Sequence, residues 1–351
     1  MVWMVKMEEV RRCTRCILPE TFPGISFGED GVCSICATHR PAPVLGEDRL
    51  REVLSAQKGE SYDCVVTVSG GKDSTYILYY ATEILGLRTV AVNYDSGFQS
   101  PLAAENARSA CEVLGVPLVV VKADRDTQIR MLREVLFISD MLGAFFGTCM
   151  NCEVNIRTAA INTALEYKAP YILYGSSEVE DIGVHSFLGG RAFVRRIPIR
   201  SLPRFAAHVA RYSFHSVRQR IEMGVPLRQR FLPFGSVPFP RQTPKVVYFF
   251  EYVVWDSLDK VAFLQERLGW RSPVDQEQRF DCALHCLGNY KWLQDSGISN
   301  DGYTYSTMIR EGRIGREDVL RKEALIRGRL QEECGKVLQE VGLHDFRLPR
   351  S

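Results

Sequence analysis

The residues best suited to chemistry stand together at Ser69-Gly70-Gly71-Lys72-Asp73-Ser74. Two adjacent glycines carry no Cβ and can take positive φ, so successive backbone N–H groups can converge on one anion. A helix that begins there adds its free N–H groups and the positive end of its dipole. Lys72 supplies a mobile point charge, and Ser69 and Ser74 supply hydroxyl donors. Such a set cradles phosphate. The G-x-x-x-x-G-K-[ST] spacing of the common nucleotide loop is absent.

Eleven cysteines are the second chemical resource. Cys13-Thr14-Arg15-Cys16 and Cys33-Ser34-Ile35-Cys36 are two C-x-x-C knuckles separated by 16 residues. Each knuckle lets two thiolates meet one ion, and the pair predicts a closed four-sulfur site holding structural zinc. A ribbon turned at Gly24, Gly28 and Gly31 has almost no core of its own and needs the metal for order. With four protein ligands there is no open position for chemistry, so the expected role is scaffolding.

The remaining cysteines are less regular. Cys149-Met150-Asn151-Cys152 opens a helix, and Cys282 and Cys286 follow Asp281 at i, i+4 spacing with His285 between them. A thiol at a helix start has a lowered pKa, which favours metal binding. Two readings stand. In one, Cys149, Cys152 and Cys282 hold a four-iron cluster with one iron open, and Cys286 is placed to close it. In the other, these are free thiols, a redox pair among them, in a helical core. Cys64, Cys111 and Cys334 stand alone and read as core or surface thiols.

These groups need elements to hold them. The β-branched run Val65, Val66, Val68 stops at Gly70-Gly71 and restarts as Thr75-Tyr76-Ile77-Leu78, which predicts a strand, a tight turn and a helix over 74–86. A polar helix precedes it at about 47–58, after a linker at Pro41-Ala42-Pro43. Strands at 87–94, 117–121 and 171–174 alternate with helices at 101–114, 126–142 and 153–167. That alternation predicts an α/β fold with a doubly wound parallel sheet. Ligands of such sheets sit beyond the carboxyl ends of the strands, where Ser69-Gly70, Asn93-Tyr94-Asp95 and Gly175-Ser176-Ser177 fall. Beyond about 187 the alternation stops, and helices are expected at 246–255, 259–268, 283–295 and 316–341. The domains expected are a zinc ribbon over 1–44, the sheet domain over 45–187 and a mostly helical region over 188–351.

At 351 residues the chain is long for one core, and 46% hydrophobic with 25% charged residues is ordinary for a soluble globular protein. No apolar stretch approaches the roughly 20 residues of a membrane span. Residues 1–6 lead straight into charges without the h-region of a signal peptide. The expectation is a cytoplasmic protein, whose cysteines serve as ligands or reactive thiols rather than disulfides. A net charge of +2 says little, but residues 191–230 hold ten arginines and one acid, Glu222, interleaved with Phe193, Phe205, Tyr212, Phe214 and Phe231. That stretch suits nucleic acid or a phosphorylated substrate, or else a solvated or inter-subunit face.

The S-G-G-K-D-S string resembles the PP-loop of the N-type ATP pyrophosphatases, which cleave ATP between the α and β phosphates. The resemblance implies a PP-loop (adenine nucleotide α-hydrolase-like) sheet. In it Ser69, Gly70, Gly71, Lys72, Asp73 and Ser74 hold the departing pyrophosphate, with Asn93 and Gly175 as further nucleotide-binding residues. It also implies Mg²⁺ on the phosphates, held by Asp73 and by Glu178, Glu180 or Asp181. The ribbon Cys13-Thr14-Arg15-Cys16-Ile17-Leu18-Pro19-Glu20-Thr21-Phe22-Pro23-Gly24-Ile25, ending at Gly31-Val32-Cys33, is similar to that of the N-acetyl sugar amidotransferases of bacterial surface-polysaccharide biosynthesis. So is Met308-Ile309-Arg310-Glu311-Gly312-Arg313-Ile314-Gly315-Arg316-Glu317. The second cysteine set departs from that group and resembles the tRNA 2-thiolation branch, where three cysteines hold a [4Fe-4S] cluster that carries sulfur.

The implied activity is adenylation of an amide or carbonyl oxygen by ATP followed by nitrogen transfer, with Lys72 and Asp73 as catalytic residues. The alternative is sulfur transfer through a cluster or through Cys149 and Cys152. A second alternative is a non-catalytic ATP- and RNA-binding protein. The implied partners are a small-molecule acceptor, a sugar nucleotide among the candidates, and a separate glutaminase subunit if ammonia is the nucleophile. Sulfur transfer would instead call for tRNA or a sulfur carrier. A homodimer is compatible with all three.

Overall fold

The computed structural model of the chain describes residues 10–41, 43–143, 150–175, 197–224, 244–254, 258–273 and 279–343. Strand β1 (Cys64–Thr67) is buried on both faces, as a central parallel strand must be. Cys64 and Val66 join one apolar cluster and Val65 the opposite one, the period-2 alternation of a strand. It is flanked by β2 (Thr89–Asp95) and β4 (Tyr171–Tyr174), with β3 (Leu118–Lys122) and β5 (Lys245–Tyr248) at the edges. All pairings are parallel, in the order β3-β2-β1-β4-β5. The strand order runs from β1 to one edge through β2 and β3 and then to the other through β4 and β5, so the crevice at the carboxyl ends of β1 and β4 is the natural ligand position.

Helices cover both faces. The first cluster gathers α2 (Glu47–Ser55), α3 (Lys72–Tyr79), α4 (Pro101–Leu114) and α8 (Leu258–Leu268) against Cys64, Val66, Ala91, Leu173 and Val247. On the other face Ala159, Ala160 and Ala164 of α6 (Met150–Glu166) pack on Val65, Val90, Val92 and Ile172. Beside it α5 (Arg125–Leu142) lies along α7 (Leu202–Glu222), sharing Met131, Val135, Ile138 and Tyr212. Helix α4 starts at Ser100, whose hydroxyl accepts from Ala103 N–H, and ends at left-handed Gly115, as its sequence predicts.

The N-terminal ribbon, with short helix α1 (Ser34–Thr38), does not stand apart. It packs on α9 (His285–Ser296), α10 (Asn300–Arg310) and α11 (Arg316–Glu340) through a shared apolar cluster. Phe22 stacks on Tyr303 at 5.6 Å, Thr21 donates to the Ser296 carbonyl at 2.9 Å, and Arg316 Nε donates to the Cys16 carbonyl at 2.9 Å.

Three expectations need correction. The helix expected at 246–255 is instead β5 followed by a 3₁₀ turn, Phe249–Glu251. Val246 and Val247 favour extended backbone, and Lys245 N–H donates to the Pro170 carbonyl to start the pairing with β4. The sheet therefore draws its last strand from beyond residue 187. The helix after the phosphate loop is α only to Tyr79 and continues as a π turn over Tyr80–Ile84. Helix α10 has no counterpart in the sequence reading, although Ser299 caps it, accepting from Gly302 N–H at 2.8 Å. No helix among the described residues is long and apolar enough to cross a membrane.

Candidate active site and metal centre

The loop Ser69–Ser74 leaves the carboxyl end of β1 and is braced from behind by side-chain amides and an indole. Asn93 Nδ2 donates to the Val68 carbonyl at 2.6 Å, and Gln99 Nε2 to that of Ser69 at 3.0 Å. The Gly70 carbonyl accepts from Trp270 Nε1 at 2.9 Å and from Asn106 Nδ2 at 3.3 Å. Gly70 has φ +84°, and a Cβ there would lie 1.8 Å from the Ala103 carbonyl oxygen of α4. Only glycine lets the loop pass so close. With three successive carbonyls held away, the serine hydroxyls close the front. Ser69 N–H donates to Ser74 Oγ at 3.1 Å, Gly71 N–H to Ser69 Oγ at 3.2 Å, and Ser74 Oγ to the Gly71 carbonyl at 3.1 Å.

Lys72 is 8% exposed, and its Nζ lies 2.8 Å from Asp73 Oδ2. Both line a cavity of about 280 Å³ with Ser69, Gly71, Ser74, Tyr94, Ile156, Tyr174, Gly175, Phe280, Asp281 and Asp301. Gly175 is among the residues of the cavity wall. Asn93 is buried and braces the loop through Val68 instead. Glu178, Glu180 and Asp181 lie outside the described residues.

A second cavity of about 770 Å³ adjoins the first, with Arg279, Phe280 and Asp301 in both walls. It is lined also by Cys282, His285, Cys286, Asn289, Lys322 and Arg329. His285 Nε2 lies 2.9 Å from each Asp301 oxygen, Asn289 Nδ2 donates to Oδ2 at 2.9 Å, and Asp301 N–H donates to Asn289 Oδ1 at 3.1 Å. Burial would raise the Asp301 carboxyl, but His285, Arg279 and Asn289 outweigh it and hold it below the ordinary carboxylate range. The sequence reading missed Asp301, Asn289, Asn106 and Trp270, because they come from helices and a turn with no shared spacing.

The second cysteine set is divided. Cys149 lies outside the described residues. Cys152 sits on α6 beside Tyr94, whose hydroxyl is pushed up by burial and by that thiol. The same hydroxyl accepts from Asn155 Nδ2 at 2.8 Å and from Gln219 Nε2 at 3.2 Å. Cys282 and Cys286 line the larger cavity. Cys64 and Cys111 are core thiols, each pushed up to about 12 by burial.

Among the described residues one group is arranged to hold a metal ion: Cys13, Cys16, Cys33 and Cys36, whose sulfurs all lie within 4.8 Å of one another. The Cys13–Cys36 and Cys16–Cys33 separations are 3.8 and 3.9 Å. Four sulfurs about 2.3 Å from one ion at tetrahedral corners are about 3.8 Å apart, so the donors fit. Backbone N–H groups of Cys16, Leu18, Cys33 and Cys36 point at the sulfurs at 3.2–3.4 Å, which favours thiolates.

The basic stretch is partly absorbed by the fold. On α7, Arg211 pairs with buried Glu134 at 3.0 Å, Arg218 pairs with Glu222 at 3.0 Å, and Arg220 is buried. Arg191, Phe193, Arg195, Arg196, Arg228, Arg230 and Phe231 lie outside the described residues.

No family model matches the chain. A tRNA(Ile)-lysidine synthase of Nitratidesulfovibrio vulgaris is 41% identical over 83 residues, 21% of this chain and 24% of that protein. An uncharacterised protein of Methanocaldococcus jannaschii is 27% identical over 119 residues, 32% of this chain and 43% of that one. The chain thus spans less than half the length of either curated relative. Among solved structures, a U34-tRNA thiolase of Methanococcus maripaludis with its [4Fe-4S] cluster has a TM-score of 0.35 at 14% identity, covering 90% of this chain and 88% of its own. An NH3-dependent NAD synthetase of Campylobacter jejuni has a TM-score of 0.28 at 13% identity, covering 63% and 90%. Such scores carry no assignment beyond the chain's own residues. The Ser69–Ser74 string thus stands at the carboxyl end of β1 in a five-stranded parallel sheet, in a chain that is similar over 83 residues to a lysidine synthase.

Proposed function

We propose that this chain is a PP-loop ATP pyrophosphatase that adenylates an amide or carbonyl oxygen and transfers nitrogen to the activated carbon, as an N-acetyl sugar amidotransferase would. The observation that carries the reading is the braced Ser69–Ser74 cradle opening into a cavity that shares Arg279, Phe280 and Asp301 with a larger one. One space suits the phosphates and the other an acceptor. The acceptor oxygen attacks the α-phosphorus of ATP, the bond to the β-phosphate oxygen breaks, and pyrophosphate departs. The loop N–H groups and Lys72 stabilise that charge as it develops. A nitrogen nucleophile then adds to the activated carbon and AMP leaves, giving an amidine. Mg²⁺ would be held through Asp73 and would neutralise phosphate charge when bound. A separate glutaminase subunit would supply the ammonia. The four-sulfur site would hold structural zinc.

Sulfur transfer is the second reading, favoured by Cys152 beside Tyr94 of the phosphate cavity and Cys282 in the adjoining one. In it the thiols or a cluster would deliver sulfide in place of ammonia. The test is to supply ATP, Mg²⁺ and a panel of UDP-N-acetyl sugars with either ammonium or sulfide. AMP and pyrophosphate are expected with ammonium, and ADP with orthophosphate overturns the adenylation. Under anaerobic purification a brown protein absorbing near roughly 400 nm, with turnover on sulfide alone, would select the second reading.

A further inference from the structure

Helix α7 (Leu202–Glu222) is built inside out. The side it turns to α5 and α6 is rich in polar groups. His208 Nδ1 lies 2.6 Å from Glu134 Oε2 on α5, and Gln219 Oε1 accepts from Asn155 Nδ2 on α6 at 3.1 Å. Ser216 and Arg220 are buried as well. The opposite side carries Pro203, Ala207, Ala210, Phe214, Val217 and Ile221, in steps of four and three residues that set them in one line along the helix. No charge interrupts that line. Among the described residues it faces solvent: Phe214 is 66% and Ile221 49% exposed, and Ile199, in the 3₁₀ turn Ile199–Ser201 that leads in, is 84% exposed. A helix between a core and water has the reverse arrangement, and a continuous apolar line on a surface marks a contact.

The flank of the line says what the contact is with. Arg204, Arg211 and Arg218 run beside it seven residues apart, all exposed, with exposed Arg200 before them. Arg211 also pairs with Glu134 and Arg218 with Glu222, yet about half of each arginine side chain stays open to solvent. A second copy of the helix matches this poorly. Antiparallel pairing through the line sets the two arginine rows side by side, and parallel pairing turns each row to Ala206 and Ser213 of the other, so neither supplies a carboxylate. Phosphate headgroups above acyl chains supply both the charge and the apolar layer.

We propose that the outer face of α7 is a docking surface for an anionic lipid bilayer. The helix lies in the headgroup layer without spanning it, Phe214, Val217 and Ile221 enter the acyl boundary, and the arginine row meets lipid phosphates. Gln219 Nε2 donates to the Tyr94 hydroxyl at 3.2 Å, and Tyr94 lines the phosphate cavity, so docking fixes the place of that cavity relative to the bilayer. The proposal does not depend on the ATP reading.

The test is flotation of the full chain with vesicles of phosphatidylglycerol mixed into phosphatidylcholine, and with vesicles of phosphatidylcholine alone. The protein should float with the mixed vesicles, stay behind with the neutral ones, and be released by raised salt. Phe214→Asp and Ala210→Glu each place a carboxylate on the exposed line and should weaken vesicle binding at least about tenfold. Either variant that keeps the wild-type unfolding temperature decides. No flotation with the mixed vesicles, equal flotation with both kinds, or flotation that the folded variants leave unchanged overturns the proposal. So does a dimer, seen by light scattering, that Phe214→Asp separates, because the face then belongs to a second copy.

Discussion

Gly70→Ala is the sharpest single perturbation of the cradle. The new Cβ would lie 1.8 Å from the Ala103 carbonyl oxygen and 2.6 Å from its carbon, both backbone. No side chain can swing aside to admit it, and α4 is fixed by Ala103, Ala107 and Ala110 in the core. The φ of +84° adds the penalty of a left-handed conformation, roughly 1–2 kcal/mol. Relieving the overlap by moving backbone adds roughly 1–3 kcal/mol. The smaller entropy of the unfolded chain offsets about 0.4–1 kcal/mol. The net loss is about 1–5 kcal/mol, a large share of the roughly 5–15 kcal/mol of a typical domain. Gly71→Ala is the contrast: its φ is −71°, and its Cβ would meet only Ser69 Oγ at 3.3 Å and Asp281 Oδ2 at 3.7 Å. Urea unfolding with calorimetric ATP titration separates the two. Gly70→Ala should lower the unfolding midpoint, whereas Gly71→Ala should nearly keep it and weaken ATP binding. A Gly70→Ala protein with wild-type midpoint and ATP affinity would refute the geometry argued for the loop.

Lys72→Ala should keep the fold and slow pyrophosphate release at least a hundredfold, since a preorganised charge on phosphate is worth roughly 3 kcal/mol or more; a loss under tenfold would remove Lys72 from the site. Purified, unchelated protein should contain one zinc per chain by elemental mass spectrometry, and Cys16→Ser should lower solubility and the unfolding midpoint together. Because the Asp301 pKa is depressed on folding, its stabilisation is present above the unfolded value of about 4 and is lost as pH falls further. Acid unfolding of Asp301→Asn should therefore depend less on pH below about 4 than that of the wild type, and parallel curves would count against the buried ion pair.

The sequence was most legible where local chemistry decides the outcome. Val65 and Val66 running into Gly70-Gly71 specify strand, turn and helix within one segment, and Gly115 ends α4 because it alone takes φ +63° there without strain. The four-sulfur spacing is equally local. Legibility fails where the partner is remote. Lys245–Tyr248 is a four-residue strand, too short to show a period, and its neighbour β4 lies some seventy positions upstream. Trp270 and Asn106 look like ordinary core and helix residues until both turn on the Gly70 carbonyl. Likewise His285 and Asp301 lie on separate helices, and no spacing rule joins them.

The ribbon's seat on α9, α10 and α11 sets an order of events during synthesis. Thr21 and Ser296 are 275 positions apart, and Arg316 reaches back 300 positions to Cys16. Residues 13–36 would gather a metal early, since the four cysteines that could hold it are near neighbours. Their apolar face, with Phe22 and Ile35, has nothing to cover it until the last helices leave the ribosome. Meanwhile the whole sheet lies between the two halves of that contact. Closing so long a loop is slow, and the waiting face is exposed in the interval to other nascent chains. An early-loaded metal shortens that hazard by presenting one preformed surface, so metal supply should govern soluble yield in a growing cell more than the durability of protein already folded.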